Sequence, residues 1–94
     1  MGLRFEWDEA KAEANIRRHG IGFEEATTVF GDALAVTIYD TQHSEGEDRF
    51  IDVGRSMGGL VLVVVYTERS GHIRIISCRR ATPSERRQYE QQEP

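Results

Sequence analysis

One cysteine, two prolines and one lysine occur in 94 residues, and each scarcity closes something off. Cys78 has no partner for an intramolecular disulfide, so packing has to hold the chain together, and a reducing compartment suits it. The longest apolar run, Leu60 to Tyr66, is seven residues, far below the ~20 that cross a bilayer as a helix. Met1 to Trp7 has no apolar stretch of the secretory kind, and Glu6 stands where myristoylation would want serine or threonine. A cytoplasmic protein with no membrane association is expected. His19, His43 and His72 are scattered and lack a second cysteine, so no zinc set is read. Gly54, Gly58, Gly59 and Gly71 fall in strand and hairpin positions, not in a strand–loop–helix phosphate cradle. The expectation is no metal and no cofactor.

What is present is charge, unevenly spread. The net charge is −4. Residues 1–48 hold eleven carboxylates against four cations, whereas residues 49–94 hold eight arginines against five carboxylates. The total therefore hides a basic half able to form a local anion-binding surface.

Ninety-four residues make a single domain, 1–94, with one core. Asp8 is placed to cap a helix over 9–18, with His19-Gly20 as its stop and Trp7, Ala10, Ala14 and Arg17 or Arg18 on one face. Phe23, Ala26, Val29 and Phe30 recur at helical spacing and predict a second helix over 23–30. The period then becomes alternating, predicting strands at 35–40, 49–55, 60–68 and 73–79 joined by short glycine-bearing turns. Phe5 to Trp7 offers a short extra N-terminal strand. Two helices, a four-stranded antiparallel meander and a C-terminal helix give an α+β fold.

The C-terminal helix has the clearest start. Thr82 and Glu85 have the spacing of a capping box, and Pro83 occupies the first helical position. Arg79 and Arg80 are thereby held at a strand-to-helix junction, a rigid mount suited to phosphate or carboxylate. With four-residue hairpin loops, Arg49, Ile51, Val53 and Arg55 share a sheet face with Leu60, Leu62, Val64, Tyr66, Ile75, Ser77 and Arg79. Phe50, Asp52, Val61, Val63, Val65, Arg74, Ile76, Cys78 and Arg80 then fall on the other.

A resemblance runs through most of the chain. It begins with Phe5-Glu6-Trp7-Asp8, Lys11, Asn15, His19-Gly20, Phe23-Glu24-Glu25-Ala26 and Val29-Phe30. It continues through Asp40, His43-Ser44, Glu47, Arg49, Gly54, Gly59, Thr67-Glu68-Arg69 and Arg74-Ile75-Ile76-Ser77. It closes on Arg79-Arg80-Ala81, Glu85-Arg86 and Tyr89-Glu90. In order and spacing these pieces resemble the BrnT toxins of bacterial type II toxin–antitoxin pairs. The resemblance implies a RelE-like fold and an RNA endonuclease that arrests translation. It also implies a cognate DNA-binding antitoxin encoded nearby, through which alone the toxin meets operator DNA. Cys78 departs from the pattern, standing where a small residue such as alanine is expected.

Metal-independent RNA cleavage needs a base for the 2′-hydroxyl, cations for the phosphorane and an acid for the departing 5′-oxygen. Arg49, Arg79 and Arg80 are the expected phosphate contacts, with Arg55, Arg69 and Arg86 as further substrate-binding candidates. His19, His43, Glu47 and Tyr89 are the proton-transfer candidates. Each has a plain structural alternative: His19 as a helix-end cation, His43 and Ser44 tying their loop to itself, Tyr89 as packing, and the arginines as ion-pair partners. A different class of function remains open as well, a decayed toxin that only binds its partner. Self-association and a hetero-oligomer with the antitoxin fit equally.

Overall fold

The structure, a computed structural model, describes residues 2–92; residues 1, 93 and 94 lie outside the described residues. Its elements are β1 (Arg4–Glu6), α1 (Glu9–His19), α2 (Phe23–Thr27) running into a 3₁₀ turn (Thr28–Gly31), β2 (Val36–Tyr39), β3 (Arg49–Arg55), β4 (Val61–Arg69), β5 (His72–Arg80) and α3 (Pro83–Glu90). The fold is α+β, as expected, but the sheet is five-stranded and mixed. The antiparallel meander β2 to β5 is joined by β1, which lies parallel beside β5, giving the order β1-β5-β4-β3-β2. The second helix is shorter than the 23–30 expected. The Thr27 and Thr28 hydroxyls each donate at 2.7 Å to the carbonyls of Glu24 and Glu25, and the chain tightens into the 3₁₀ turn there. Among the described residues no helix is long and apolar enough to cross a membrane.

α1 starts and stops where its caps dictate. Asp8 accepts the Lys11 N–H at 3.0 Å, and Gly20, at φ 73°, closes the last turn by donating to the Ile16 carbonyl at 2.8 Å. Its buried positions are Ala12 and Asn15, not Ala10 and Ala14. The reason is polar. β1 pairs with β5 only along His72–Arg74, so beyond that point the rim of β5 needs another partner. Asn15 supplies it: its amide N–H groups donate to the Cys78 carbonyl at 2.8 Å and the Ile21 carbonyl at 3.0 Å, and its oxygen accepts the Cys78 N–H at 3.0 Å.

One sheet face carries the core. Phe23, Ala26 and Val29 pack with Ala12, Leu62, Val64, Tyr66, Ile73, Ile75 and Cys78. An aromatic series, Phe5–Phe30–Tyr66–Phe50, links β1 to β3 with centroid spacings of 5.2, 4.9 and 5.7 Å. Gly54 lets the 3₁₀ turn sit close on β3, since a Cβ there would lie 2.9 Å from both Val29 and Ala35 side-chain atoms.

The assignment of side chains to faces departs from the sequence reading at two places. The β3–β4 connection has five residues, because Arg55 pairs with Val61 and the turn closes through Ser56 N–H to Leu60 O at 2.7 Å. That one extra residue swaps every β4 side chain. Arg49, Ile51, Val53 and Arg55 therefore share a face with Val61, Val63, Val65 and Thr67, not with Leu60, Leu62, Val64 and Tyr66. The β4–β5 turn has the expected register, Glu68 opposite Ile73, with Ser70 and Gly71 both at positive φ. That register puts Ile73 and Ile75 on the core face, and a bulge between Val65 and Tyr66 then breaks the alternation along β5 and brings Cys78 onto it as well. Arg79, Ser77, Arg74 and His72 all fall on the opposite face.

Asn15→Ala leaves two buried backbone groups of Cys78 unpartnered, at roughly 1–3 kcal/mol each. Urea unfolding followed by circular dichroism is expected to show a loss of about 3 kcal/mol; an unchanged midpoint would contradict this account of how α1 docks.

Candidate active site

The C-terminal junction forms as its sequence dictates, and in doing so occupies its own arginine. Glu85 N–H donates to Thr82 Oγ1 at 3.2 Å and the Thr82 N–H donates to Glu85 Oε1 at 2.8 Å. The same carboxylate takes two hydrogen bonds from the Arg79 guanidinium at 2.8 and 2.9 Å. That contact holds the Glu85 carboxyl down at about 2. Arg79 thus fastens β5 to α3. Arg80, its neighbour, projects from the other sheet face, is exposed and has no ion pair among the described residues.

Nor does Arg49 meet them. It pairs across the sheet with Thr67, whereas Arg79 pairs with Val63, and four strand residues separate those rows by about 13 Å. The three arginines expected to share one phosphodiester are therefore not brought together. Arg86 is exposed on α3. Arg55 braces the helix instead: its guanidinium lies 5.7 Å from the Tyr89 ring centroid and 3.7 Å from Glu90. Tyr89 is buried and its hydroxyl donates to Asp32, so it anchors α3. Burial and that carboxylate push the Tyr89 phenol up. Burial alone would raise the Asp32 carboxyl, but hydrogen bonds from Arg55 N–H, the Tyr89 hydroxyl and Leu34 N–H leave it below its usual range. His19 is exposed in the last turn of α1.

The groups that do meet lie at the opposite end of β3. The β2–β3 loop is stapled by Ser44, whose hydroxyl accepts the Arg49 N–H at 2.9 Å and donates to the Asp40 carbonyl. Asp40 in turn holds the His43 imidazole, with Nδ1 at 2.9 Å from Oδ2. The loop is tied to itself, as the plain alternative had it, and the tie leaves a definite geometry. His43 shares a depression with Gln42, Glu45 and Arg49. The Arg49 guanidinium has no ion pair among the described residues, while the imidazole offers its Nε2 to solvent, being 62% exposed. Glu47 accepts two hydrogen bonds from Arg69, one of them at 3.0 Å. Those bonds, together with the fields of Arg49 and Arg74, hold the Glu47 carboxyl below its usual range.

The sequence reading named His43, Arg49, Glu47 and Arg69 singly. It did not assign Asp40 a role, although a carboxylate three residues before a histidine at a strand end was a signal for such a pair. Arg74 and His72 were left out of the site, because it is the fifth residue of the β3–β4 turn that brings β4, and the start of β5 paired with it, round to the Arg49 face. Among the described residues no group of three or more His, Cys, Asp or Glu side chains converges as a metal site would.

Residues 7–85 match the family model described as ribonuclease toxin, BrnT, of type II toxin–antitoxin system. The chain belongs to the BrnT family. Its fold is similar to that of the Brucella abortus ribonuclease toxin BrnT, whose crystal structure at 1.1 Å aligns with a TM-score of 0.67 and 23% identity, covering 86% of this chain and 99% of that one. At that identity the likeness speaks for the BrnT fold alone. The comparison with curated proteins finds no match.

The Arg79–Glu85 pair carries a pH signature. Its carboxyl is lowered in the folded protein, from 4.5 to about 2, so the stabilisation is complete above pH 4.5 and drains away as pH falls towards 2. Because both side chains are partly exposed, solvent reduces its size. Acid titration of the unfolding free energy is expected to show a fall across this window that Glu85→Gln makes shallower; parallel curves would contradict the pairing.

Proposed function

We propose that this BrnT-family chain is an active endoribonuclease toxin that cuts RNA without a metal ion, at the depression holding His43 and Arg49. The observation that supports it most is the carboxylate–imidazole pair of Asp40 and His43 beside a guanidinium with no ion-pair partner. Asp40 on Nδ1 favours the tautomer with a free Nε2, the form that accepts a proton. His43 Nε2 takes the proton of a ribose 2′-hydroxyl as its oxygen bonds to phosphorus. The P–O5′ bond breaks, and the departing oxygen takes a proton from the imidazolium or from water. The products are a 2′,3′-cyclic phosphate and a 5′-hydroxyl. Arg49 stabilises the charge on the crowded phosphorane through hydrogen bonds that tighten as it forms. Glu47 keeps Arg69 fixed beside this site, and is the alternative base when Arg69 is drawn onto substrate.

In the cell this activity arrests translation in the cytoplasm until a cognate DNA-binding antitoxin, encoded nearby, occupies the toxin; operator DNA is reached only through that partner. The second reading, a decayed toxin kept for binding its antitoxin and regulating the operon, draws on the pairing of Arg79 with Glu85, Arg69 with Glu47 and Arg74 with Glu6.

Purified protein in EDTA is expected to cleave RNA and leave 2′,3′-cyclic phosphate ends. His43→Ala should slow cleavage ~10²–10⁴-fold and Arg49→Ala ~10²–10³-fold, each with the unfolding midpoint of the parent. Intact RNA, both free and on ribosomes, would support the decayed toxin. Activity that returns only on adding magnesium would contradict the metal-free route, and an unaffected His43→Ala would remove the site.

A further inference from the structure

The face opposite the core changes character along its length. Towards α3 it is apolar, with Val36, Ile38, Ile51, Val53 and Val63 beneath Tyr89. At the other end the register lines up two polar rows. In the first, Arg49 stands opposite Thr67, Thr67 opposite Arg74 and Arg74 opposite Glu6. In the second, Arg69 stands opposite His72 and His72 opposite Arg4. Residues opposite one another on paired strands project from the same face, so four arginines and a histidine share this end with two carboxylates.

Both carboxylates are engaged. Glu6 accepts from Arg74 at 2.8 Å and lies 3.7 Å from His72, and Glu47 is held by Arg69. Arg4 and Arg49 have no ion pair among the described residues. At the centre of the first row, Thr67 is fully buried and its hydroxyl has no hydrogen-bond partner. A buried hydroxyl without a partner is rare in folded proteins, and here it stands between Arg49 and Arg74 on the neighbouring strands.

We infer that these two rows form a track for the backbone of single-stranded RNA, with one phosphate drawn between Arg49 and Arg74 over Thr67 and the next between Arg69, His72 and Arg4. This rests on the nuclease reading only for the identity of the strand: the row begins at Arg49, so the track leads substrate away from the cleaved bond. Arg4, Arg74 and His72 bind without taking part in bond breaking. Such a surface reads charge and spacing rather than bases. RNA phosphates compete with Glu6 and Glu47 for Arg74 and Arg69, which gives each carboxylate the role of a displaceable stand-in.

An RNA octamer methylated at every 2′-oxygen lacks the attacking hydroxyl, so its affinity reports binding alone. Arg74→Gln is expected to weaken that affinity on the order of tenfold and to lower the slope of log affinity against log salt by about 0.7. Glu6→Gln, which breaks the same ion pair but frees Arg74, should tighten it. A purely structural role for the pair would instead move both variants the same way, and that outcome overturns the track. So does an Arg74→Gln protein with unchanged affinity and slope, or one that loses only its affinity for an acidic polypeptide. Cleavage of unmodified RNA, measured separately, tests His43 and Arg49 and can fail while the track stands.

Discussion

Everything chemical in this chain depends on the register of β3, β4 and β5, and on the bulge that resets it. Side chains alternate along a strand, so a β5 paired without interruption from its hairpin would turn Ser77 and Arg79 into the core and Cys78 out of it. The irregularity between Val65 and Tyr66 lets β5 satisfy both demands: Ile75 before it is 1% exposed and Cys78 beyond it is fully buried, while Arg79 meets Glu85 on the other face. A local interruption of the ladder costs little backbone pairing and re-aims a run of side chains. The bulge therefore completes the hydrophobic core and turns Arg79 towards α3, while the five-residue β3–β4 turn and the β4–β5 hairpin set Arg74 in line with Thr67 and Arg49.

The two faces are held apart by different means. On the core side, α1 is fastened to β5 by an amide, and α2 with its 3₁₀ turn lays Phe23, Ala26 and Val29 over the central strands. On the other side, α3 is fixed at three points by polar contacts: Glu85 to Arg79, Tyr89 to Asp32 and Glu90 to Arg55. That helix lies against part of the apolar end, where Ile38 stays half exposed, and stands away from the charged end. The division leaves an acidic protein with a locally basic surface. The net charge of −4 is spread over the molecule, whereas the arginines of β3, β4 and β5 are concentrated by pairing.

Much of the fold was legible in the residues, and the parts that were not share a cause. The caps of α1 and α3, the bounds of β3 and the register of the β4–β5 hairpin are local events, decided by neighbours in sequence, and each was read correctly, although the hairpin turn itself is two residues rather than four. The 3₁₀ tightening after Thr27, the parallel pairing of β1 and the bulge in β5 are settled by contacts between distant segments. The site suffered from the same limit. Arg79 looked available because its junction was rigid, yet the capping glutamate that makes the junction rigid also binds it. His43 and Arg49 were named without the carboxylate that orients one or the strand partner that extends the other.

The placement of substrate on the Arg49 end of the sheet, away from the C-terminal junction, is the claim most open to a direct measurement. Arginine Nε–Hε resonances can be followed in the full chain as the 2′-O-methylated octamer is added. Shifts at Arg49, Arg69 and Arg74, with Arg79 and Arg80 unmoved, are the predicted result. Movement of Arg79 and Arg80 while Arg49 and Arg74 stay fixed would return the site to the strand-to-helix junction and contradict the account.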